Sequence, residues 1–314
     1  MRPRAMPRIL LSVLGPAFLA LGGCQAAPVE QEKSYVRTKD GALLYYQRIV
    51  RGPDVLLVPG ASFLDMDIER LGEGRTIVFY DPRGRGRSGK AGTARMERDL
   101  GDIEELCEWL HLERFAMLGW DYPAALAALY AARHPERVEK LVLVSPIPPR
   151  KTPYWDIYER VRADRQDVQD LERLRELERQ GARRSSPEAW AKAYKDTVLA
   201  PMVMNKSSLQ RMKSNPLVEP NTDPLPLMRQ YYGLLGALKE WDWRAELAGV
   251  RCPTIVLYGV ADPVPAAAFQ EWAASVQGAR TVEIARSGAL PWIENPAPFF
   301  SAVEGFLADA GEEP

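Results

Sequence analysis

The stretch best placed to do chemistry is Phe115-Ala116-Met117-Leu118-Gly119-Trp120-Asp121-Tyr122-Pro123, followed by a helix-type run from Ala124. An apolar segment, a sharp turn and a helix would lift the apex side chain above a sheet and set it at a helix N-terminus. In a nucleophile elbow this turn reads G-x-S-x-G, its small outer residues letting strand and helix approach. Here the apex is Asp121 and the second outer residue is Pro123. A serine hydroxyl needs a neighbouring base before it attacks, whereas a carboxylate is already charged. Asp121 is therefore a candidate nucleophile or acid/base, and the elements around it must supply a pocket and partners.

Those elements alternate. Asp54–Pro59, Thr76–Tyr80, Phe115–Leu118, Leu141–Val144 and Thr254–Tyr258 are continuous β-branched and Leu runs, as expected for parallel strands buried on both faces. Helix patterns lie between or after them at Met96–Leu110, Ala124–Arg133, Ala266–Val276 and Ala297–Ala308. Tyr35–Thr38 and Leu43–Ile49, joined through Asp40-Gly41, read as a hairpin. Strand alternating with helix predicts a doubly wound, mostly parallel α/β sheet. The alternation breaks over residues 147–243. There Val161, Val168, Leu171, Leu174 and Leu177 predict an amphipathic helix, and Ser186-Pro187 opens a second one over Glu188–Leu199. This insert reads as a helical cap, 147–243, on a core made of 34–146 and 244–308.

Six motifs in order resemble the α/β-hydrolase fold superfamily, in the branch of proline iminopeptidase-like capped serine hydrolases. They are Val58-Pro59-Gly60-Ala61, Tyr80-Asp81-Pro82-Arg83-Gly84-Arg85-Gly86-Arg87-Ser88, the elbow, His134-Pro135-Glu136-Arg137-Val138, Gly259-Val260-Ala261-Asp262-Pro263, and Ser287-Gly288-Ala289-Leu290-Pro291-Trp292. The resemblance implies a mostly parallel sheet with an inserted cap. It implies a triad ordered nucleophile, acid, histidine, which falls on Asp121, Asp262 and Ala289. The acid is in place, the nucleophile position carries Asp, and the histidine position carries Ala. It also implies an oxyanion hole from the N–H groups of Ala61 and Tyr122, where the Asp121 charge would repel an anion. Haloalkane dehalogenases and epoxide hydrolases resemble the Asp arrangement, but their second step uses the histidine to activate water. His111 and His134 fall at helix ends and are not expected to replace it. Three functions remain open: a catalytically impaired homologue that binds a small molecule, an active hydrolase using Asp121 with an unidentified partner, and a protein-interaction module. No cofactor and no metal site are expected, since the cysteines and histidines form no cluster.

The N-terminus is of another kind. Arg2, Arg4 and Arg8 precede the apolar run Ile9–Leu21 and the tetrad Leu21-Gly22-Gly23-Cys24. This is the layout of a secretory signal, and the tetrad resembles the lipobox of bacterial lipoproteins. Residues 1–23 are then a signal peptide, Cys24 the lipidated residue, and residues 24–33 a tether. Gln25 in place of Asp favours the outer membrane, with the domain facing the periplasm. Losing three arginines takes the formal net charge from −1 to −4. Neither value offers the basic footprint that nucleic acid requires, and attachment to the membrane rests on the lipid. Cys107 and Cys252 both sit in apolar-patterned segments and read as buried thiols, with a disulfide the alternative.

Overall fold

The computed structural model describes residues 30–89, 95–214 and 233–309. The signal segment, Cys24 and the Pro-rich stretch 215–226 lie outside the described residues. Eight strands form one sheet: β1 (Glu30–Arg37), β2 (Leu43–Val50), β3 (Val55–Pro59), β4 (Thr76–Tyr80), β5 (Phe115–Trp120), β6 (Val138–Val144), β7 (Thr254–Gly259) and β8 (Arg280–Ile284). Their order is β1-β2-β4-β3-β5-β6-β7-β8. Only the β1–β2 and β2–β4 pairs are antiparallel. The central runs are apolar throughout because both faces are covered. In β3, Leu57 packs into one core cluster while Leu56 and Val58 pack into the other.

Helices α2 (Met96–Leu110) and α3 (Tyr122–Arg133), with the helix Ala266–Ser275, cover one face. The short α1 (Ala61–Ile68) and the helix Pro296–Ala308 cover the other. Over the carboxyl ends of the strands sits the insert, with α4 (Tyr154–Asp164), α5 (Val168–Arg179), α6 (Ala182–Ser185) and α7 (Pro187–Tyr194). Its two ends run side by side: Lys151 N–H donates to Trp241 O at 2.9 Å and Trp243 N–H to Pro149 O at 2.9 Å.

Three expectations need correction. Glu30–Lys33 are not tether but the first half of β1, in register with Val50–Gln47. Their side chains are exposed, so an edge strand there leaves no apolar pattern. The helix expected through Val161–Leu177 is two helices. Asp167 caps α5 by accepting the N–H groups of Gln169 (2.8 Å) and Asp170 (3.4 Å), which ends the continuity. The helix expected over Glu188–Leu199 becomes a π turn after Tyr194, spanning Lys195–Leu199. Cys107 and Cys252 are both buried free thiols. Burial pushes Cys107 up to about 12 and Cys252 up to about 11, so neither is a reactive thiolate at neutral pH.

Candidate active site

Gly119 closes the elbow, because a Cβ there would meet the Ala124 Cα at 2.5 Å, so β5 and α3 can approach only without one. The next residues carry the turn. Asp121 is the N-cap of α3 with φ 59° and ψ −131°, a backbone geometry that costs a non-glycine residue roughly 1–3 kcal/mol. Its N–H donates to Val144 O at 3.1 Å. Pro123 falls in the first turn of α3, where the lack of an N–H costs nothing.

Asp121 opens onto a cavity of about 120 Å³ between core and cap. The walls are mainly apolar and aromatic. Phe63 and Leu64 come from α1, Tyr158 from α4, and Tyr194, Val198, Leu199 and Met202 from α7 and the turns after it. Two helix N-termini meet there. Ala61 and Tyr122 are the first residues of α1 and α3, positions whose N–H groups have no acceptor within their own helix. Gly60 and Phe63, flanking Ala61, line the cavity together with Tyr122.

Asp262 and Ala289 are not among the residues that line this cavity, though Asp262 lies near enough to Asp121 to feel its charge. Asp262 follows β7; its Oδ1 accepts the Val264 N–H at 2.9 Å, while Oδ2 is closed off from solvent with no hydrogen-bond partner among the described residues. Burial pushes the carboxyl up to about 7, with the nearby Asp121 charge adding to it. The Ser145 hydroxyl, Val264 N–H and Arg165 act the other way. Ala289 is buried and held by its backbone. Its N–H donates to Met202 O at 2.8 Å, and its carbonyl accepts the Trp120 indole N–H at 2.8 Å. Trp120 also meets Trp292 edge-on, with centroids 5.3 Å apart. Glu294 is a structural anchor here. Its carboxylate accepts the N–H groups of Gly288 (2.5 Å), Asn205 (2.9 Å) and Met204 (3.1 Å), latching the cap onto the loop that carries Ala289.

Sequence reasoning passed over Trp120, whose place inside G-W-D-Y-P could have flagged it, and the cap residues Tyr158 and Arg162, which carried no motif. The arginine loop after β4 is tied internally, and its Asp81 and Arg85 also line the cavity. Arg83 is tied to Asp102 and Asp40, Arg85 to Asp99 at 2.7 Å, and Arg87 to Asp65 at 3.0 Å. Asp81 accepts from Ser62 N–H and Oγ and from Arg87 N–H. His134 stacks on Tyr130, with centroids 4.5 Å apart, and His111 is the left-handed cap of α2. The described cavity lining contains no histidine and no lysine. Among the described residues no group of three His, Cys, Asp or Glu could hold a metal, and no helix is long and apolar enough to cross a membrane.

The family model of the alpha/beta hydrolase fold matches residues 61–296. The proline iminopeptidase of Heyndrickxia coagulans is 22% identical over 257 residues, covering 79% of this chain and 87% of that protein. The AB hydrolase superfamily protein YisY of Bacillus subtilis is 24% identical over 288 residues, covering 87% and 98%. Among solved structures, MGS-M2, an alpha/beta hydrolase enzyme from a Medee basin deep-sea metagenome library, superposes with a TM-score of 0.66 at 17% identity. That match covers 90% of this chain and 99% of the other.

Proposed function

Because the chain belongs to the α/β-hydrolase fold family, we propose that it is a member without triad turnover, whose cavity between core and cap holds a small molecule. One observation carries this reading. Asp121 keeps the strained elbow geometry and opens onto a mostly apolar cavity whose described lining holds no histidine. Sites of this form are the usual places for small ligands. A charged Asp121 can attack an electrophile once, but releasing the resulting ester needs an activated water; the described lining holds no histidine, and its other carboxylate, Asp81, is already engaged by Ser62 and Arg87. General-base assistance is typically worth 10²–10⁴-fold.

The purified protein is therefore expected to show no multiple turnover with p-nitrophenyl esters, aminoacyl anilides or epoxides, and no labelling by fluorophosphonates. A turnover number in the common range of about 1–10³ s⁻¹, abolished by Asp121→Ala, would sink the proposal. It would put an Asp121-dependent hydrolase in its place.

The lipobox-like Leu21-Gly22-Gly23-Cys24 motivates a location. In this reading Cys24 carries lipid, and the domain sits at the periplasmic face of the outer membrane in a bacterial envelope. Since β1 begins at Glu30, the tether shrinks to Gln25–Val29, which reaches roughly 17 Å when extended. The protein expressed with its own signal should sediment with membranes, and Cys24→Ser should release it. An unlipidated N-terminus by mass spectrometry in the wild type would refute this.

A further inference from the structure

The cap has a second hollow, separate from the central cavity. It is a groove of about 740 Å³ between α7 with its π turn and the 3-10 turn Lys206–Arg211. Ala191, Leu209 and Met212, all buried, give it an apolar floor. Two of its lysines are already neutralised. Lys192 Nζ lies 2.5 Å from Asp196 Oδ2, and Lys206 Nζ bonds Asp170 of α5 and lies 4.0 Å from Asp196 Oδ1.

Lys195 differs from both. It is half-buried, and its side chain makes no hydrogen bond or ion pair with any described residue. Burial lowers its pKa, and among the described residues the charge that resists this is Asp67 of α1. Asp67 already accepts the N–H groups of Lys213 (2.9 Å) and Ser214 (3.0 Å). Taking an ammonium out of water without a partner is unfavourable, so a carboxylate brought to it would be held. Lys195 also opens the π turn, a distortion frequent at functional sites.

We propose that this groove is a second binding site, taking a small organic monocarboxylate with an apolar body, whose carboxylate pairs with Lys195. Asp196 and the exposed Glu188 on the rim disfavour a multiply charged anion such as phosphate. The apolar floor accounts for the ligand's body. The site stands apart from the central cavity and does not depend on what that cavity holds.

Calorimetric titration of the full chain with 4-phenylbutyrate, 4-phenylbutanol and inorganic phosphate tests it. The carboxylate is expected to bind saturably and to lose at least about tenfold in affinity in Lys195→Met. Lys195→Arg should retain most of the binding, and Asp121→Ala should leave it unchanged. Phosphate should not bind. With Glu188, Lys192, Asp196, Lys206, Asp170 and Asp67 as the surrounding charges, Lys195 is the cation the carboxylate pairs with, and burial lowers its pKa from the ordinary lysine value. Affinity should therefore fall as the pH is raised from about 7 to about 10. Circular dichroism checks that each variant is folded. No binding of the carboxylate, equal binding by folded Lys195→Met, or phosphate binding as tightly would each overturn the proposal. Loss of binding in Asp121→Ala would move the ligand to the central cavity and also overturn it.

Discussion

Asp262→Asn is expected to be more stable than wild type by about 2–3 kcal/mol near pH 8, with the gap closing toward about pH 4. The folded protein raises the Asp262 carboxyl from its ordinary 3.8 to about 7, chiefly through burial. A carboxyl whose pKa is higher folded than unfolded binds its proton more tightly in the folded state. It therefore costs nothing below the unfolded value. The penalty grows as pH rises through the window from 3.8 to about 7 and levels off above it. At 1.36 kcal/mol per unit the full penalty is about 4 kcal/mol. Asparagine removes the charge, keeps the acceptor for the Val264 N–H, and leaves one new buried N–H group to satisfy, which offsets roughly 1–2 kcal/mol. Urea titrations of both proteins across this pH range give the answer. A variant less stable than wild type at pH 8, or a difference that does not change with pH, would contradict the assignment. Among the described residues Oδ2 has no hydrogen-bond partner, so nothing offsets the cost of burying its charge there.

Arg83→Met is expected to lose about 3–5 kcal/mol near neutral pH. Arg83 and Asp102 are almost wholly buried and bonded through two pairs of atoms, one of them Nε to Oδ2 at 2.6 Å. Arg83 Nη1 reaches Asp40 at 2.7 Å. One guanidinium thus joins the β1–β2 turn, α2 and the loop after β4. Burial pushes Asp102 up to about 6 even with Arg83 opposing it, so without Arg83 the carboxyl rises further. The deficit should shrink as pH falls toward about 6 and level off below it, because Asp102 is protonated at a higher pH in the variant and in both proteins below that value. The double variant Arg83→Met with Asp102→Leu should recover much of the loss, as apolar replacements of buried ion pairs often do. A deficit under about 1 kcal/mol with no pH dependence would show that the pair does not hold these elements.

The central strands were legible because β3, β4, β5, β7 and the Leu141–Val144 part of β6 are covered on both faces and so are largely apolar. The peripheral pieces were not. In β8 only Ile284 is buried, and the outer half of β1 is wholly exposed, so neither shows a hydrophobic pattern. The break between α4 and α5 rested on the single cap Asp167. At the site, the strand-turn-helix run located Asp121. The setting of Ala289 depends on Trp120 and Met202 bonding it across large sequence separations, and no local pattern encodes that.

The latch between cap and core bears on how the two can move. Met202, Met204 and Asn205 satisfy their backbone groups on the segment Gly288–Glu294, and Trp120 spends its indole proton on the Ala289 carbonyl. The approach is close: a Cβ at Gly288 would run into the Met202 carbonyl. Parting cap from loop would leave the buried Ala289 N–H and the Trp120 indole unpaired, at roughly 1–3 kcal/mol apiece. The packing therefore works as a clasp: this part of the cap and the loop after β8 travel together, and any widening of the cavity has to come from the cap helices on the other side.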